Sequence, residues 1–323
     1  MLPLLLRLGW VAAVVLLATS SSRASAGGRV TVPVKPIQVG PHSYYVRGQA
    51  SEASGKNQGF MSNAGFVVTP AGVVVFDTLG SPPLGEELIR QIRKITRQPI
   101  KRVIISHFHA DHGYGLQAFK AIGAEVWAHR DGKLYLESDL ARQRLEQRKR
   151  TLAPWVDDST RLVPADVWLE GDTDFELGGV RFELIHLGPA HSPEDLMMKV
   201  SPDGVLFSGD LLFTGRIPFV GEADSKRWLG AIDRLLAFKP RAMVPGHGEA
   251  STHPSADLTL TRDYLLYLRE VMKKAVDDFV PFEEAYRQTD WSRFSSHPAF
   301  QAANRVNAYN TYLLLEKESL AKE

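Results

Sequence analysis

The run Ser106-His107-Phe108-His109-Ala110-Asp111-His112 restricts this chain more than any other feature. It places four potential metal donors within six positions, directly after the apolar segment Val103-Ile104-Ile105. With ten histidines in 323 residues, such a concentration is not a chance grouping. Extended backbone repeats every two residues, so positions 107 and 109 address the same side. Asp111 and His112 fall where the chain turns into the next helical stretch and address a second point. One ion rarely takes four ligands this close along a chain; two ions about 3.5–4 Å apart fit better. A polar loop in which Asp111 only caps a helix would account for the aspartate but not for three histidines around it.

Three later loops repeat the theme singly. Gly188-Pro189-Ala190-His191-Ser192-Pro193 follows a strand ending at Leu187, Ser208-Gly209-Asp210 one ending at Phe207, and Pro245-Gly246-His247-Gly248 one ending at Val244. Loops carried by rigid strands are where functional groups concentrate. The chain has no cysteine, so a metal here must be held by His, Asp or Glu, and no disulfide or thiol nucleophile is available.

The surrounding periodicities alternate between strand and helix. Gly65 to Thr69 and Gly72 to Asp77 read as strands about a Pro70-Ala71-Gly72 turn, and 86–97 has helical spacing through Leu88, Ile89, Ile92 and Ile95. A strand over 103–105, a helix over 114–122 and a strand over 125–128 follow. The second half adds a hairpin, 174–177 and 180–187 about Gly178-Gly179, then strands 196–200 and 204–208, a helix 227–238 and a strand 242–244. Two similar halves of this kind predict an α/β (α+β) fold: a four-layer αββα sandwich, two sheets face to face with helices outside. Residues 255–323 read as a C-terminal helical extension, with long amphipathic stretches over 258–279 and 302–320 and a short helix over 282–287. Its expected use is packing on the sandwich or on a second copy in a homo-oligomer.

The first 26 residues have a different composition. Apolar runs at 2–6 and 10–18, then Ser20 to Ser22 and Ala24-Ser25-Ala26, form a secretory signal pattern with cleavage after Ala26. The apolar run is shorter than the roughly 20 residues a bilayer span needs, and no Arg-Arg pair precedes it. The expected organisation is a signal peptide at 1–26, a catalytic domain at 27–254 and the extension at 255–323, with a periplasmic or secreted address. Lys and Arg number 38 against 37 Asp and Glu, which leaves no basic excess to suggest a nucleic-acid partner. After cleavage no membrane segment is expected, and the partner is a small-molecule substrate.

With these residues in place, the chain resembles the metallo-β-lactamase fold over roughly residues 38–253. The resemblance implies that His107, His109 and His191 bind one metal, that Asp111, His112 and His247 bind a second, and that Asp210 bridges them. It also implies that Asp77, in Phe76-Asp77-Thr78, is a supporting residue rather than a ligand. Two Zn²⁺ are the implied cofactors, with iron or manganese compatible with the same donors. The implied chemistry is hydrolysis of an ester, lactone, thioester or amide by a metal-bridging hydroxide, with Asp111 as the catalytic proton carrier. The stretch from Gly209 to Gly221, together with Pro154-Trp155-Val156, Leu260 to Tyr264 and Ala303 to Asn307, is similar to the quinoprotein relay system zinc metallohydrolases.

Other assignments are weighed against this one. Zinc β-lactamases usually carry Cys or Ser where Asp210 stands, and those lacking Cys commonly have a second His where Gly113 stands, so β-lactam hydrolysis is an alternative. Glyoxalase II-type thioester hydrolysis fits the donors but poorly fits an exported chain. A mononuclear iron persulfide dioxygenase shares the fold and is a further alternative. A non-catalytic metal-binding module would be expected to have lost donors, and this chain keeps the full set. Arg216 and Phe219 are candidate substrate-binding residues; for Arg216 the competing expectation is an ion pair with Asp224. Trp155 and Trp228 could line an apolar wall or a core. His42, His129, His186, His253 and His297 lie outside the motif pattern and read as ordinary histidines.

Overall fold

The computed structural model describes residues 28–221 and 223–321; the expected signal peptide lies outside the described residues. Among the described residues twelve strands form two sheets. The first sheet holds β1 (Pro36–Gln38), β2 (Ser43–Val46), β3 (Ala64–Thr69), β4 (Gly72–Phe76), β5 (Ile100–Ile104), β6 (Glu125–His129) and β7 (Val167–Leu169) in sequential order. Its first four strands are antiparallel, and the rest run parallel. The second sheet, in the order β12-β11-β10-β9-β8, holds β8 (Thr173–Leu177), β9 (Val180–His186), β10 (Leu196–Ser201), β11 (Val205–Phe207) and β12 (Ala242–Val244).

Side-chain alternation sorts the core into layers. Val74 and Phe76 of β4 share a buried cluster with Met198 and Val200 of β10 and Phe207 of β11, which is the seam between the sheets. Val73 and Val75 point the other way, onto α1 (Pro82–Ile95) and α3 (Leu116–Ala121). On the opposite flank, Met197, Leu206 and Met243 pack against α6 (Ser225–Ala237) and α8 (Thr259–Asp277). Period-two strands buried on both faces therefore produce the four-layer αββα sandwich expected from the sequence. The helical extension comprises α7 (Pro254–Asp257), α8, α9 (Phe282–Gln288) and α10 (Phe300–Leu320), and it shares the core outside the second sheet. No helix among the described residues is long and apolar enough to cross a membrane.

Local chemistry explains where element boundaries differ from expectation. The helix expected from residue 86 starts at Pro82, because Ser81 accepts from the Leu84 N–H and Pro82 and Pro83 suit a first turn. The helix expected over 114–122 is α3, and a separate short helix, α2 (Ala110–Gly113), precedes it. Two further helices, α4 (Gly132–Glu137) and α5 (Asp139–Thr151), were not anticipated. In α5 only Ala141 is buried, so the helix has no apolar stripe to read.

Candidate metal centre

The carboxyl ends of β5, β9, β11 and β12 meet at one edge of the sandwich and bring all seven sequence-predicted donors together. His107, His109 and His191 converge first: His107 Nε2 and His191 Nε2 lie 3.1 and 3.0 Å from His109 Nδ1. His107, His112 and Asp210 form a second group, and Asp111, His112 and His247 a third, with the donor atoms of each group within 4.8 Å of one another. Asp210 lies between them. Its Oδ2 is 3.4 Å from His191 Nε2 and 3.9 Å from His107 Nε2, while its Oδ1 is 3.1 Å from His112 Nε2 and 3.3 Å from His247 Nε2. One carboxylate thus presents one oxygen to each cluster. Asp111 Oδ2 is 3.2 Å from His247 Nε2, on the second side.

The donor chemistry fits metal ions. His112 Nε2 and Asp210 Oδ1 are buried without a hydrogen-bond partner, a costly arrangement for a polar pair unless something else engages them. Burial holds His109 down at about 3 and His191 at about 4, so both rings offer lone pairs. Burial also lowers His107, and the neighbouring imidazoles of His112 and His109 reinforce the effect. At the second cluster burial is outweighed: the carboxylates of Asp210, Asp111 and Asp77 hold His112 well above its ordinary value. Burial likewise opposes ionisation of Asp210, but His247 and His112 overcome it and hold the carboxyl well below the usual range.

Outer partners set the ring orientations, as they do around metal-bound imidazoles. His112 Nδ1 is 2.9 Å from Asp77 Oδ2, and Asp77 also accepts from the Ser106 N–H and hydroxyl, both at 2.8 Å. His247 Nδ1 is 2.8 Å from the Met61 carbonyl. Asn63 clamps the His247 loop, donating to the carbonyls of Pro245 and Gly248 at 2.8 and 2.9 Å. Asp195 accepts from the Ser192 N–H and hydroxyl beside His191. Phe213 stacks on His247 at 4.8 Å, and Trp228 meets His191 at 5.0 Å while donating to the Leu211 carbonyl. Sequence reading singled out Asp77 but assigned no part to Asn63 or Asp195. Asp195 lies four residues after His191, a local signal that could have found it, whereas Asn63 is far from every donor in sequence and meets the His247 loop only in the fold.

A cavity of about 780 Å³ opens beside His109 and His191 and is lined by Leu134, Tyr135, Leu140, Arg144 and Phe219 among others. Tyr135 meets the His109 ring at 5.7 Å and Phe219 at 6.4 Å. Phe219 therefore lines this cavity beside His109, whereas Trp228 is wholly buried and Trp155 donates to the Arg29 carbonyl away from the donors. The expected Arg216–Asp224 pair does not form, because Asp224 caps α6 through the N–H groups of Lys226 and Arg227. Arg216 is instead 3% exposed, donates to the Ser51 carbonyl, and is influenced by the charges of Asp111 and Asp210.

The loop carrying Arg216 and Phe219 is held from the helical extension. Asn307 of α10 accepts from the Val220 N–H at 2.9 Å and donates to the Pro218 carbonyl at 2.8 Å. Its amide also reaches the Tyr264 hydroxyl, which donates to Asn304. Thr261 bonds both the N–H and the carbonyl of Phe213.

Residues 57–247, more than half of the chain, match the family model described as the metallo-beta-lactamase superfamily. A linear primary-alkylsulfatase of Pseudomonas sp. (strain ATCC 19151) is 24% identical over 242 residues, 63% of this chain and 45% of that protein. The chain thus spans about half the length of that relative. A hydroxyacylglutathione hydrolase of Haemophilus influenzae is 29% identical over 178 residues, 52% of this chain and 77% of that protein. Among solved structures, a stereoselective inverting sec-alkylsulfatase from Pseudomonas sp. aligns with a TM-score of 0.66 at 17% identity, over 87% of this chain and 50% of that one. A metallo-beta-lactamase from Pontibacter korlensis aligns with a TM-score of 0.56 at 23% identity, over 72% of this chain and 98% of that one.

Proposed function

The chain belongs to the metallo-β-lactamase superfamily, and from that premise we propose that it is an exported two-zinc hydrolase of small ester-type substrates: esters, thioesters, lactones or amides. The observation that carries the reading is the split of Asp210, one oxygen toward each cluster. His107, His109 and His191 would hold one ion, Asp111, His112 and His247 the other, and Asp210 both. Bound zinc would supply a hydroxide at neutral pH and a Lewis acid for the scissile group.

The chain's own residues do the rest. Asp77 and the Met61 carbonyl hold His112 and His247 with their Nε2 atoms turned inward. Asp111, whose side chain is 14% exposed, is the donor carboxylate best placed to take a proton from the attacking water and pass it to the leaving group. Leu134, Tyr135, Leu140 and Phe219 offer an apolar wall that would exclude water from the reacting bond and receive the substrate's hydrocarbon part. Asp111→Asn should cut turnover sharply; near-normal turnover with both metals retained would remove Asp111 from the proton path.

A sulfate ester is the second reading, and Arg216 favours it. Among the described residues its buried guanidinium makes no ion pair within 4.0 Å, while the charges of Asp111, Asp210 and Glu52 act on it from farther off, so a cation stands near the donors for an anionic substrate group. The test is hydrolysis by the zinc-loaded protein of an aryl ester, a thioester, a lactone, a carbapenem and a primary alkyl sulfate, beside His109→Ala and with metal analysis. The proposal expects two zinc ions and at least one rate abolished by the substitution. A single iron with oxygen consumption on a persulfide would replace hydrolysis with the dioxygenase alternative.

A further inference from the structure

The cavity beside His109 and His191 also presents a cation, the guanidinium of Arg144 in its lining. Arg144 stands on α5, where Leu140, one turn earlier, lines the same cavity and Arg148, one turn later, continues the same helix face. Other cations of this helix are engaged. Arg142 lies 2.7 Å from Asp139 Oδ1 and donates to the Glu137 carbonyl, and Lys149 lies 2.8 Å from Glu146 and 3.7 Å from Asp158. Arg144 and Arg148 are half-buried, and among the described residues neither guanidinium makes a hydrogen bond or an ion pair. Like charges one turn apart destabilise a helix, and a bound anion would relieve that repulsion.

The acids that line the cavity have other partners. Asp131 faces His129 Nδ1 at 3.6 Å and Arg130 at 3.9 Å. Asp224 caps α6 and faces Arg227 at 3.5 Å. Glu194 accepts from the Phe108 N–H, and burial raises its pKa, which favours the uncharged acid. Tyr135 relates Arg144 to the metal edge. Its ring meets His109 at 5.7 Å, and Arg144 exerts the largest pull against the rise that burial causes in the Tyr135 pKa. Arg216 acts instead on His247, in the other cluster. One continuous lining thus offers a metal donor, the side chains of Leu134, Tyr135 and Leu140, and a cation without a counter-ion. Leu134 and Leu140 are 72% and 47% exposed, so apolar surface lies uncovered beside that cation. A cavity of about 780 Å³ is of the size that takes a small ligand.

We propose that Arg144 is a specificity-determining residue that binds a carboxylate at the end of the substrate remote from the scissile bond. The substrate class is then an ester-type compound whose hydrocarbon chain ends in a carboxylate. Its reacting carbonyl sits at the metal centre, its chain on Leu134 and Leu140, and its carboxylate on Arg144. A planar guanidinium meets a carboxylate through two parallel hydrogen bonds, and Arg148 adds positive charge one turn away. The inference rests on the hydrolase reading above and narrows its substrate.

The test uses p-nitrophenyl esters of hexanedioic, octanedioic and decanedioic acids on the zinc-loaded full chain. Each is made with the far end as the free carboxylate or as the primary amide. At the best chain length wild type should prefer the carboxylate probe by about tenfold in kcat/KM, carried by KM, the order of one charge-assisted hydrogen bond. Arg144→Gln should remove that preference and Arg144→Lys should recover part of it. Arg142→Gln, which changes a paired cation outside the lining, should keep it. The same preference in wild type and Arg144→Gln, or none in wild type at any length, would overturn the inference. Should wild type cleave neither probe, the ester reading fails and binding decides for Arg144. The half-amide of octanedioic acid, titrated by calorimetry, should then bind wild type about tenfold more tightly than Arg144→Gln, and equal affinities would overturn the inference.

Discussion

The two halves of the sandwich build their shares of the centre differently. The first half delivers four donors from one segment leaving β5, and a single carboxylate, Asp77, holds it through Ser106 and His112. The second half delivers three donors from three separate loops, each held by a different partner: Asn63, Asp195 and Thr261. Donors on one segment share a single backbone geometry, whereas scattered donors depend on how closely loops can approach. Gly246 shows this: a Cβ there would sit 2.0 Å from Asp210 Oδ1 and 2.7 Å from the Gly209 carbonyl carbon. The first half should therefore tolerate distant changes that disable the second.

The sharpest test removes the residue that joins both sides. Asp210→Ala should lower metal content at both clusters and reduce hydrolysis by more than the roughly 10–100-fold typical of losing an outer partner. Retention of two ions with strong activity would break the comparison. Gly246→Ala comes next. Its methyl meets the Asp210 carboxylate and, beside it, the Gly209 and Asp210 backbone, so overpacking should cost about 1–3 kcal/mol. It should also displace Asp210 and His247 together, read as lost zinc with His107 and His109 untouched.

Asp77→Asn should weaken the first half more selectively. It keeps the shape but removes the charge facing His112 Nδ1 and the Ser106 hydroxyl. Metal affinity at the second cluster should fall by about 10–100-fold, with the first cluster nearly unchanged in a competitive chelator titration. Asn307→Ala probes the second half from outside. It strips bonds from Val220, Pro218 and Tyr264. Leaving those groups unpaired should cost about 1–3 kcal/mol in urea denaturation, and KM should rise while zinc content holds, because the loop carries Phe219 rather than a donor.

The same contrast explains what could be read from the sequence. The four-layer fold was legible because Val73 to Phe76, Val103 to Ile105 and Leu196 to Val200 alternate between two buried faces. The gathering of these seven residues was legible because the first four fall within six positions and the others each follow a strand with Gly or Pro beside them. The Arg216–Asp224 pair does not form, since the choice of the Lys226 and Arg227 N–H groups as Asp224's partners is decided by the start of α6. Helix α5 was invisible because its faces are almost all exposed. Asn307 lies 87 residues from Val220, and no local pattern relates an amide on a helix to a loop that far away in the chain.

The smallest predicted effect concerns a seam between the halves away from the metals. Asp203, in the β10–β11 turn, accepts from the His42 N–H at 2.9 Å, contacts His42 Nδ1 at 2.7 Å and accepts from the Ser43 hydroxyl at 2.6 Å. Burial would raise its pKa, but the bonds from His42 and Ser43 outweigh that, and the carboxyl is held below its ordinary value. A depressed carboxylate stabilises the fold in its ionised form. Its contribution is fully present above the unfolded value of about 3.9, and it is lost as pH falls through the lower folded value. Asp203→Asn should therefore be less stable than wild type near neutrality by about 1–3 kcal/mol. The gap should narrow as pH drops below about 4, since wild type then loses what the variant never had. Urea midpoints of the two chains across that range read the difference directly and cancel acid effects at the shared metal donors. A gap independent of pH would show that the seam is held by packing rather than by the Asp203 charge, leaving the contrast between the halves confined to the metal edge.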